Sequence, residues 1–162
     1  MAVPRGLEVL ITCIAGLPGS GKSYLAEQLW LSYPEPRYES VWWIDDIEEQ
    51  SQLPSPHTAQ TLEHLIITDP HFCRASTRAL VEQRMREDYD TSVEWIFFEN
   101  DPDQCRANVA HRQRIKKESR KVLGMIHILS KIYTIPDGAD VRAVWHPCVD
   151  DTARGSPLDT QL

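Results

Sequence analysis

The sequence predicts an α/β fold, a three-layer sandwich in which a parallel sheet of about five strands carries helices on both faces. Short apolar runs rich in β-branched residues alternate along the chain with segments in which apolar residues recur at helical spacing. A glycine-rich turn joins the first apolar run to the first helical segment, which is the order that opens a βαβ unit. With 162 residues, of which 41% are hydrophobic, the chain is long and apolar enough for one packed domain.

Five segments have the consecutive apolar residues of strands that are covered on both faces of a parallel sheet. These predicted strands are residues 8–15, 41–44, 65–68, 93–98 and 141–145. Helical spacing predicts helices at residues 23–30, 56–63, 70–89, 102–112 and 120–133, the last with the clearest apolar stripe. We therefore expect one domain over residues 1–149 and a tail of small polar residues, 150–162, that is predicted to be disordered.

Composition excludes several classes of protein. No apolar run approaches the roughly 20 residues that span a bilayer, and the first residues lack the basic and apolar regions of a signal peptide. The four cysteines, Cys13, Cys73, Cys105 and Cys148, lie far apart without a C-x-x-C pair, which argues against a disulfide framework and a zinc site. We expect a cytoplasmic location, reduced thiols and no membrane partner, and the sequence leaves the oligomeric state open.

The net charge of −7 is unevenly distributed. Residues 106–121, the basic segment, hold seven cations and one anion, a net charge of +6. The other 146 residues carry 10 cations and 23 anions, a net charge of −13. An acidic body disfavours binding of nucleic acid along the whole surface, whereas the basic segment is expected to meet an anionic ligand.

The glycine-rich turn matches the phosphate-loop pattern G-x-x-x-x-G-K-[ST]. Its residues are Gly16, Leu17, Pro18, Gly19, Ser20, Gly21, Lys22 and Ser23. The motif follows a strand and begins a helix, so its N–H groups and the helix dipole would cradle a triphosphate. In such loops the lysine contacts the β- and γ-phosphates and the serine hydroxyl binds Mg²⁺. The sequence therefore predicts a P-loop NTPase fold with ATP and Mg²⁺ as cofactors.

The rest of the chain favours a small kinase among P-loop proteins. The N-K-x-D and D-x-x-G motifs of GTPases do not occur in the sequence. The strand at residues 65–68 ends in Asp69-Pro70 rather than in the Asp-Glu pair of mechanical ATPases. A kinase needs the phosphate loop, a carboxylate that accepts the proton of a hydroxyl, and a basic lid over the γ-phosphate.

Carboxylates follow two of the predicted strands. Asp45 and Asp46 come directly after residues 41–44, at the carboxyl edge where ligands of open α/β sheets bind. One of the two is a candidate general base and both are candidate substrate ligands, although an N-cap role for the pair is compatible with these functions. Asp69 is a candidate ligand of Mg²⁺ or of the substrate, and a helix N-cap explains it equally well.

The basic segment has two interpretations. As the lid of a kinase, it would bring Arg112 and Arg114 to the nucleotide, where their charge would stabilise the transferring phosphoryl group. As a solvated helix face, it would have no ligand. The concentration of positive charge in an otherwise acidic chain favours the lid.

Together these motifs resemble the P-loop kinases related to phage-type polynucleotide 5′-hydroxyl kinases and to zeta-toxin-like kinases. The likeness covers about residues 8–146 and rests on the phosphate loop, the Asp45-Asp46 pair, the strand ending in Asp69, and Glu99 to Arg112. The resemblance implies that Asp45 is the general base, that Asp69 helps to form the acceptor site, and that Arg112 contacts the γ-phosphate. Two residues beyond the Asp-Asp pair the chain has Glu48, where the polynucleotide kinases have an arginine, so a smaller acceptor stays open.

Two hypotheses follow. The first is an ATP- and Mg²⁺-dependent kinase with Lys22, Asp45 and Arg112 as catalytic residues, whose acceptor hydroxyl belongs to a nucleic-acid end, a nucleoside or nucleotide, or a small metabolite. The second is a nucleotide-dependent switch or accessory ATPase that acts through a protein partner.

Overall fold

A five-stranded parallel sheet is the centre of the molecule. The structure is a computed structural model that describes residues 9–45, 61–113 and 119–146. The strands are β1 (Leu10–Ala15), β2 (Val41–Asp45), β3 (His64–Thr68), β4 (Val93–Phe98) and β5 (Asp140–Arg142), in the spatial order β2-β3-β1-β4-β5. Every neighbouring pair is parallel. The predicted α/β fold with a parallel sheet is confirmed.

Helices cover both faces of this sheet. The helices are α1 (Lys22–Leu31), α2 (Ala75–Tyr89), α3 (Pro102–Gln113) and α4 (Ser119–Ser130), with short 3₁₀ helices at Arg37–Glu39 and Pro70–Cys73. Helix α1 packs on one face against Ile14, Ile66 and Phe98. The other helices contribute Val81, Met85, Cys105, Val109, Ile126 and Leu129 to a larger core on the opposite face. The three-layer architecture is therefore also confirmed.

The position of β1 explains its sequence. It lies between β3 and β4, so Ile14 faces the α1 layer while Ile11 and Cys13 face the larger core. A strand covered on both faces has few positions for polar side chains, so five of the six residues of β1 are apolar, and the exception, Thr12, lies 2.8 Å from Nε2 of His64 in a hydrogen bond. The central strand leads directly into the phosphate loop at the carboxyl edge of the sheet.

Three predicted segments are corrected by the structure. The predicted helix at 70–89 is a 3₁₀ helix and an α-helix separated by Arg74, which is extended at φ −90° and ψ 125°. The predicted strand at 141–145 ends at Arg142, because the N–H of Trp145 donates to the carbonyl of Ser20 instead of to β4. The predicted helix at 120–133 ends at Ser130, and Tyr133 lies beyond it with its hydroxyl 2.7 Å from the carbonyl of Phe98.

Several other predictions fall wholly or partly outside the described residues. The helix predicted at 56–63 is described only from residue 61, and residues 61–63 are not helical. Asp46, Glu48, Arg114, Cys148 and the tail 150–162 lie outside the described ranges. Within those ranges, none of the helices has the length and hydropathy needed to span a membrane.

Candidate active site

The phosphate loop has the conformation that its glycines permit. Gly19 and Gly21 have φ angles of 85° and 109°, in the left-handed region that side chains other than glycine rarely adopt. A Cβ atom at Gly19 would lie 2.6 Å from the carbonyl oxygen of Cys105, and one at Gly21 would lie 2.8 Å from Cβ of Trp145. Both positions therefore need glycine for backbone conformation and for close packing.

Lys22 is the first residue of α1 and is buried. Its Nζ donates to the carbonyl oxygens of Gly16 and Leu17, at 3.0 Å each. These bonds hold the ammonium group beneath the loop and compensate in part for its removal from water. An anion in the loop would meet a positive charge that is already in position.

Ser23 and Asp45 come together at the carboxyl edge of the sheet. The hydroxyl of Ser23 donates to Oδ2 of Asp45 at 3.2 Å, and the hydroxyl of Thr68 donates to Oδ1 of the same carboxylate. Asp45 ends β2 and Thr68 ends β3, and the two are directly paired in the sheet. Asp45 is exposed to solvent, so an external group can reach it.

Asp69 is arranged differently from Asp45. Its side chain is 1% exposed and accepts from the backbone N–H of His71 at 2.6 Å, with Nδ1 of His71 at 3.0 Å. It is therefore the N-cap of the 3₁₀ helix that begins at Pro70. The N-cap interpretation is confirmed, and the roles of Asp69 toward metal or substrate stay predictions.

The described residues offer oxygen ligands for Mg²⁺ only as a partial set. No group of three His, Cys, Asp or Glu side chains that could hold a metal occurs among them. Ser23 and Asp45 supply a hydroxyl and a carboxylate, which are ligands of the type that Mg²⁺ prefers. Mg²⁺ usually binds proteins through one or two such groups together with substrate phosphates and water, so the residues present fit this ion.

A cleft of about 190 Å³ opens beside the phosphate loop. It is lined by Gly19, Gly21, Lys22, Ser23, Tyr24, Asn108, Arg112 and Trp145. Arg112, in the last turn of α3, is exposed and lines this cleft, and its role toward the nucleotide stays a prediction; Arg114 lies outside the described residues. The second half of the predicted loop, except Ser20, and Arg112 therefore line one cavity.

Three residues of this site were missed or not assigned from the sequence. The rings of Tyr24 and Trp145 are 6.3 Å apart and tilted by 42°, forming an aromatic wall of the cleft. Asn108 lies within the stretch from Glu99 to Arg112 on which the family resemblance rests, and its side-chain amide donates to the carbonyl of Gly19 in the loop. The sequence analysis places Trp145 inside the predicted strand 141–145 and does not assign it to the site.

Buried thiols and a phenol lie beneath the loop. Burial raises the pKa of Cys73 to about 11 and that of Cys105 to about 12, and the neighbouring Lys22 cation opposes both shifts only in part. Burial also raises the pKa of the Tyr133 hydroxyl. All three groups are therefore neutral at physiological pH. Cys13, Cys73 and Cys105 are buried and not bonded to another cysteine.

Comparison with known proteins gives structural neighbours. No protein-family model and no curated protein sequence matches the chain. A gluconokinase from Sinorhizobium meliloti 1021 matches with a TM-score of 0.54 at 15% identity, covering 90% of this chain and 88% of that one. Kti12 from Chaetomium thermophilum, solved in complex with ADP-AlF3, matches with a TM-score of 0.58 at 14% identity, covering 82% and 88%.

A third neighbour, APE1195, has a TM-score of 0.57 at 13% identity and covers 92% of this chain and 94% of that one. The chain shares the α/β fold of these three structures. At identities of 13–15% the likeness is one of fold, carried over nearly the full length of both chains. The finer resemblance to phage-type polynucleotide kinases stays a prediction from the sequence.

Proposed function

We propose that the protein is an ATP- and Mg²⁺-dependent kinase that transfers the γ-phosphoryl group to a hydroxyl. The observation that carries this proposal is the contact between Ser23 of the phosphate loop and Asp45 at the end of β2. It places a carboxylate that solvent can reach next to the loop that would hold the triphosphate. Phosphoryl transfer requires this juxtaposition of phosphate, metal ligand and proton acceptor.

The phosphate loop supplies the nucleotide site in this proposal. Backbone N–H groups at the start of α1 bind phosphate oxygens, and Lys22 exchanges its bonds to Gly16 and Leu17 for bonds to the β- and γ-phosphates. Ser23 would hold Mg²⁺ together with the phosphates, and Asp45, across from it, would accept from the Ser23 hydroxyl. When bound, Mg²⁺ neutralises negative charge on the β- and γ-phosphate oxygens.

Asp45 has a second role as the general base. Two hydroxyl groups, from Ser23 and Thr68, donate to its carboxylate, which fixes the carboxylate's orientation. An acceptor hydroxyl that donates to this carboxylate loses its proton to Asp45 as its oxygen attacks the γ-phosphorus, while the bond from that phosphorus to the β–γ bridging oxygen breaks and ADP leaves with the electron pair. Such proton transfer typically contributes about 10²- to 10⁴-fold to the rate.

Arg112 is assigned to the transferring phosphoryl group. It lies on the wall of the cleft that also includes Lys22 and Ser23, and its guanidinium is a fixed cation with a geometry suited to phosphate oxygens. Asp46, Asp69 and Arg114 complete the proposed site, the first two toward the acceptor and Arg114 toward the nucleotide. Asp69 is additionally proposed as a ligand of the metal through water.

The acceptor is proposed to be a nucleic-acid end, a nucleoside or nucleotide, or a small metabolite. The gluconokinase among the structural neighbours is named for a small-metabolite substrate, and the net charge of −7 disfavours a long polyanion. A compact hydroxyl compound is therefore the class to be tested first, alongside 5′-hydroxyl oligonucleotides. The site of action is proposed to be the cytoplasm.

Single-turnover transfer from labelled ATP to an acceptor panel tests the proposal, with Asp45→Asn compared to wild type. We expect the variant to lose at least about 100-fold in the transfer rate while its affinity for Mg²⁺-ATP changes by less than about fivefold. Asp140→Asn, at an exposed carboxylate on β5, is the matched control and should transfer at the wild-type rate. If Asp45→Asn transfers the phosphoryl group at the wild-type rate, Asp45 is not the general base.

The second candidate is acceptor-independent ATP hydrolysis by a switch or accessory ATPase. It is favoured by the exposure of Asp45, because water can reach this carboxylate as readily as an alcohol can. This function would be favoured over the kinase if two results were found together. ADP would form at the same rate with and without every acceptor, and the protein would form a stable complex with a partner protein.

A further inference from the structure

We propose that Asn108 is a positioning residue that fixes the aromatic wall of the cleft against the phosphate loop, a role that rests on the nucleotide-binding function proposed above. Its side-chain amide makes two donations to different parts of the chain. One goes to the carbonyl of Gly19 at 2.9 Å and the other to the carbonyl of Trp145 at 2.6 Å. These carbonyls are 126 positions apart in sequence, and one amide joins them.

The amide of Asn108 is fully committed to this arrangement. The side chain is 1% exposed, and its Oδ1 accepts from Nε2 of Gln104, one turn earlier on α3, at 2.8 Å. Both amide protons and the amide oxygen therefore have partners in the protein. A buried amide held at three points loses little further freedom when a ligand binds, so it acts as a rigid spacer.

Helix α3 is packed tightly on the loop at the same place. A Cβ atom at Gly19 would lie 2.9 Å from Cγ2 of Val109 and 2.6 Å from the carbonyl oxygen of Cys105. The middle of α3 is thus part of the wall of the phosphate loop. Arg112, one turn further on, extends from this fixed base toward the cleft.

The loop and the Trp145 segment depend on Asn108 to different degrees. The loop has bonds of its own, from Lys22 to Gly16 and Leu17 and from Ser20 N to the carbonyl of Leu17. The residues after β5 reach the loop through Asn108 and through the bond from Trp145 N to the carbonyl of Ser20. Loss of the amide should therefore displace the aromatic wall more than the phosphate cradle.

This difference gives a readout that general destabilisation would not produce. ATP touches both the cradle and the wall, whereas inorganic tripolyphosphate touches only the cradle. Asn108→Asp keeps the shape of the side chain and the bond from Gln104 but cannot donate. Its added negative charge repels the phosphates of both ligands. The ratio of ATP affinity to tripolyphosphate affinity therefore reports the displacement of the aromatic wall rather than the charge.

The experiment measures Mg²⁺-ATP and Mg²⁺-tripolyphosphate affinity of Asn108→Asp, Asn108→Ala and wild type, with amide exchange of Trp145 followed by NMR in the absence of ligand. We expect the variants to lose about tenfold in ATP affinity, with the ratio of ATP to tripolyphosphate affinity falling at least about threefold. The Trp145 amide should exchange about tenfold faster. Asn100→Asp, an exposed asparagine that donates to the carbonyl of Ser130, is the matched control and should match wild type.

Each other outcome contradicts a defined part of the proposal. Unchanged exchange at Trp145 would show that Asn108 does not hold the wall, whatever the ligand data. Faster exchange with equal losses of ATP and tripolyphosphate affinity would overturn its positioning role. A folded wild-type chain that binds neither ligand would overturn the proposed function and this role with it, while the exchange data would still report the coupling of the two segments. If Asn108→Ala fails to fold, the isosteric Asn108→Asp decides.

Discussion

Replacing Lys22 by methionine should separate nucleotide affinity from stability. Methionine keeps most of the length of the side chain and removes its charge and its donors. Nζ of Lys22 makes two donations of 3.0 Å within the loop, and hydrogen bonds to charged groups contribute about 1.5–3 kcal/mol each. In the wild type, Lys22 gives up its bonds to the two carbonyls when it bonds to the phosphates, so only the difference between these bonds favours binding. We therefore expect Lys22→Met to lose about 2–4 kcal/mol of binding free energy, roughly a 30- to 1,000-fold increase in the Kd of Mg²⁺-ATP.

The effect of Lys22→Met on folding should be much smaller. Two buried carbonyls lose a donor, but a cation that is only 8% exposed no longer has to be removed from water. These contributions oppose each other, so we expect the free energy of unfolding to change by less than about 2 kcal/mol, or under about 8 °C in Tm.

Calorimetric titration with a non-hydrolysable ATP analogue and a thermal melt measure the two effects in one preparation. Lys131→Met makes the same chemical change at an exposed site beyond α4 and should leave both values at those of wild type. A folded Lys22→Met protein that binds the analogue within threefold of the wild-type affinity would refute the assignment of Lys22 to the phosphates.

Two further predictions concern folding. Gly19→Ala should lower the free energy of unfolding by about 1–3 kcal/mol, because its φ of 85° and the carbonyl 2.6 Å from the new Cβ both oppose it. Gly124→Ala, inside α4 with no atom within 4 Å of the added Cβ, should raise the free energy of unfolding by up to about 1 kcal/mol. If urea unfolding shows the same change for both variants, the conformation of the loop at Gly19 is contradicted. Burial lowers the pKa of His64 below its ordinary 6.5, so the unfolded chain takes up a proton there that the folded chain does not. Stability should therefore fall as the pH drops below about 6.5, and less steeply in His64→Gln; identical slopes in melts from pH 7.5 to 5 would exclude His64 as the source.

The phosphate loop and its flanking elements were predictable because the information is local. A strand, a turn of glycines and a helix lie within 22 consecutive residues, and the positive φ angles of Gly19 and Gly21 follow from the motif. Asp45 was also predictable as a carboxylate at the end of a strand. Its contact with Ser23 was not, because it depends on α1 crossing β3 to reach β2.

The remaining features depend on long-range contacts that no local pattern encodes. The strand predicted at 141–145 is cut short because Trp145 bonds to Ser20, a choice that propensity at residues 141–145 cannot reveal. The break at Arg74 is similar. Arg78 of α2 donates to the carbonyl of Phe72 in the 3₁₀ helix and to that of Thr134, so a long-range contact accompanies the break although the whole stretch has helical spacing.

The fate of the γ-phosphoryl group tests the central claim most directly. Wild-type protein is incubated with Mg²⁺ and γ-labelled ATP, with and without the acceptor panel, and the label is followed into phosphate esters and into inorganic phosphate. The kinase proposed here predicts that ADP forms faster with one class of acceptor and that the label is recovered as an ester of its hydroxyl. Label that appears only as inorganic phosphate, at a rate no acceptor changes, would contradict it.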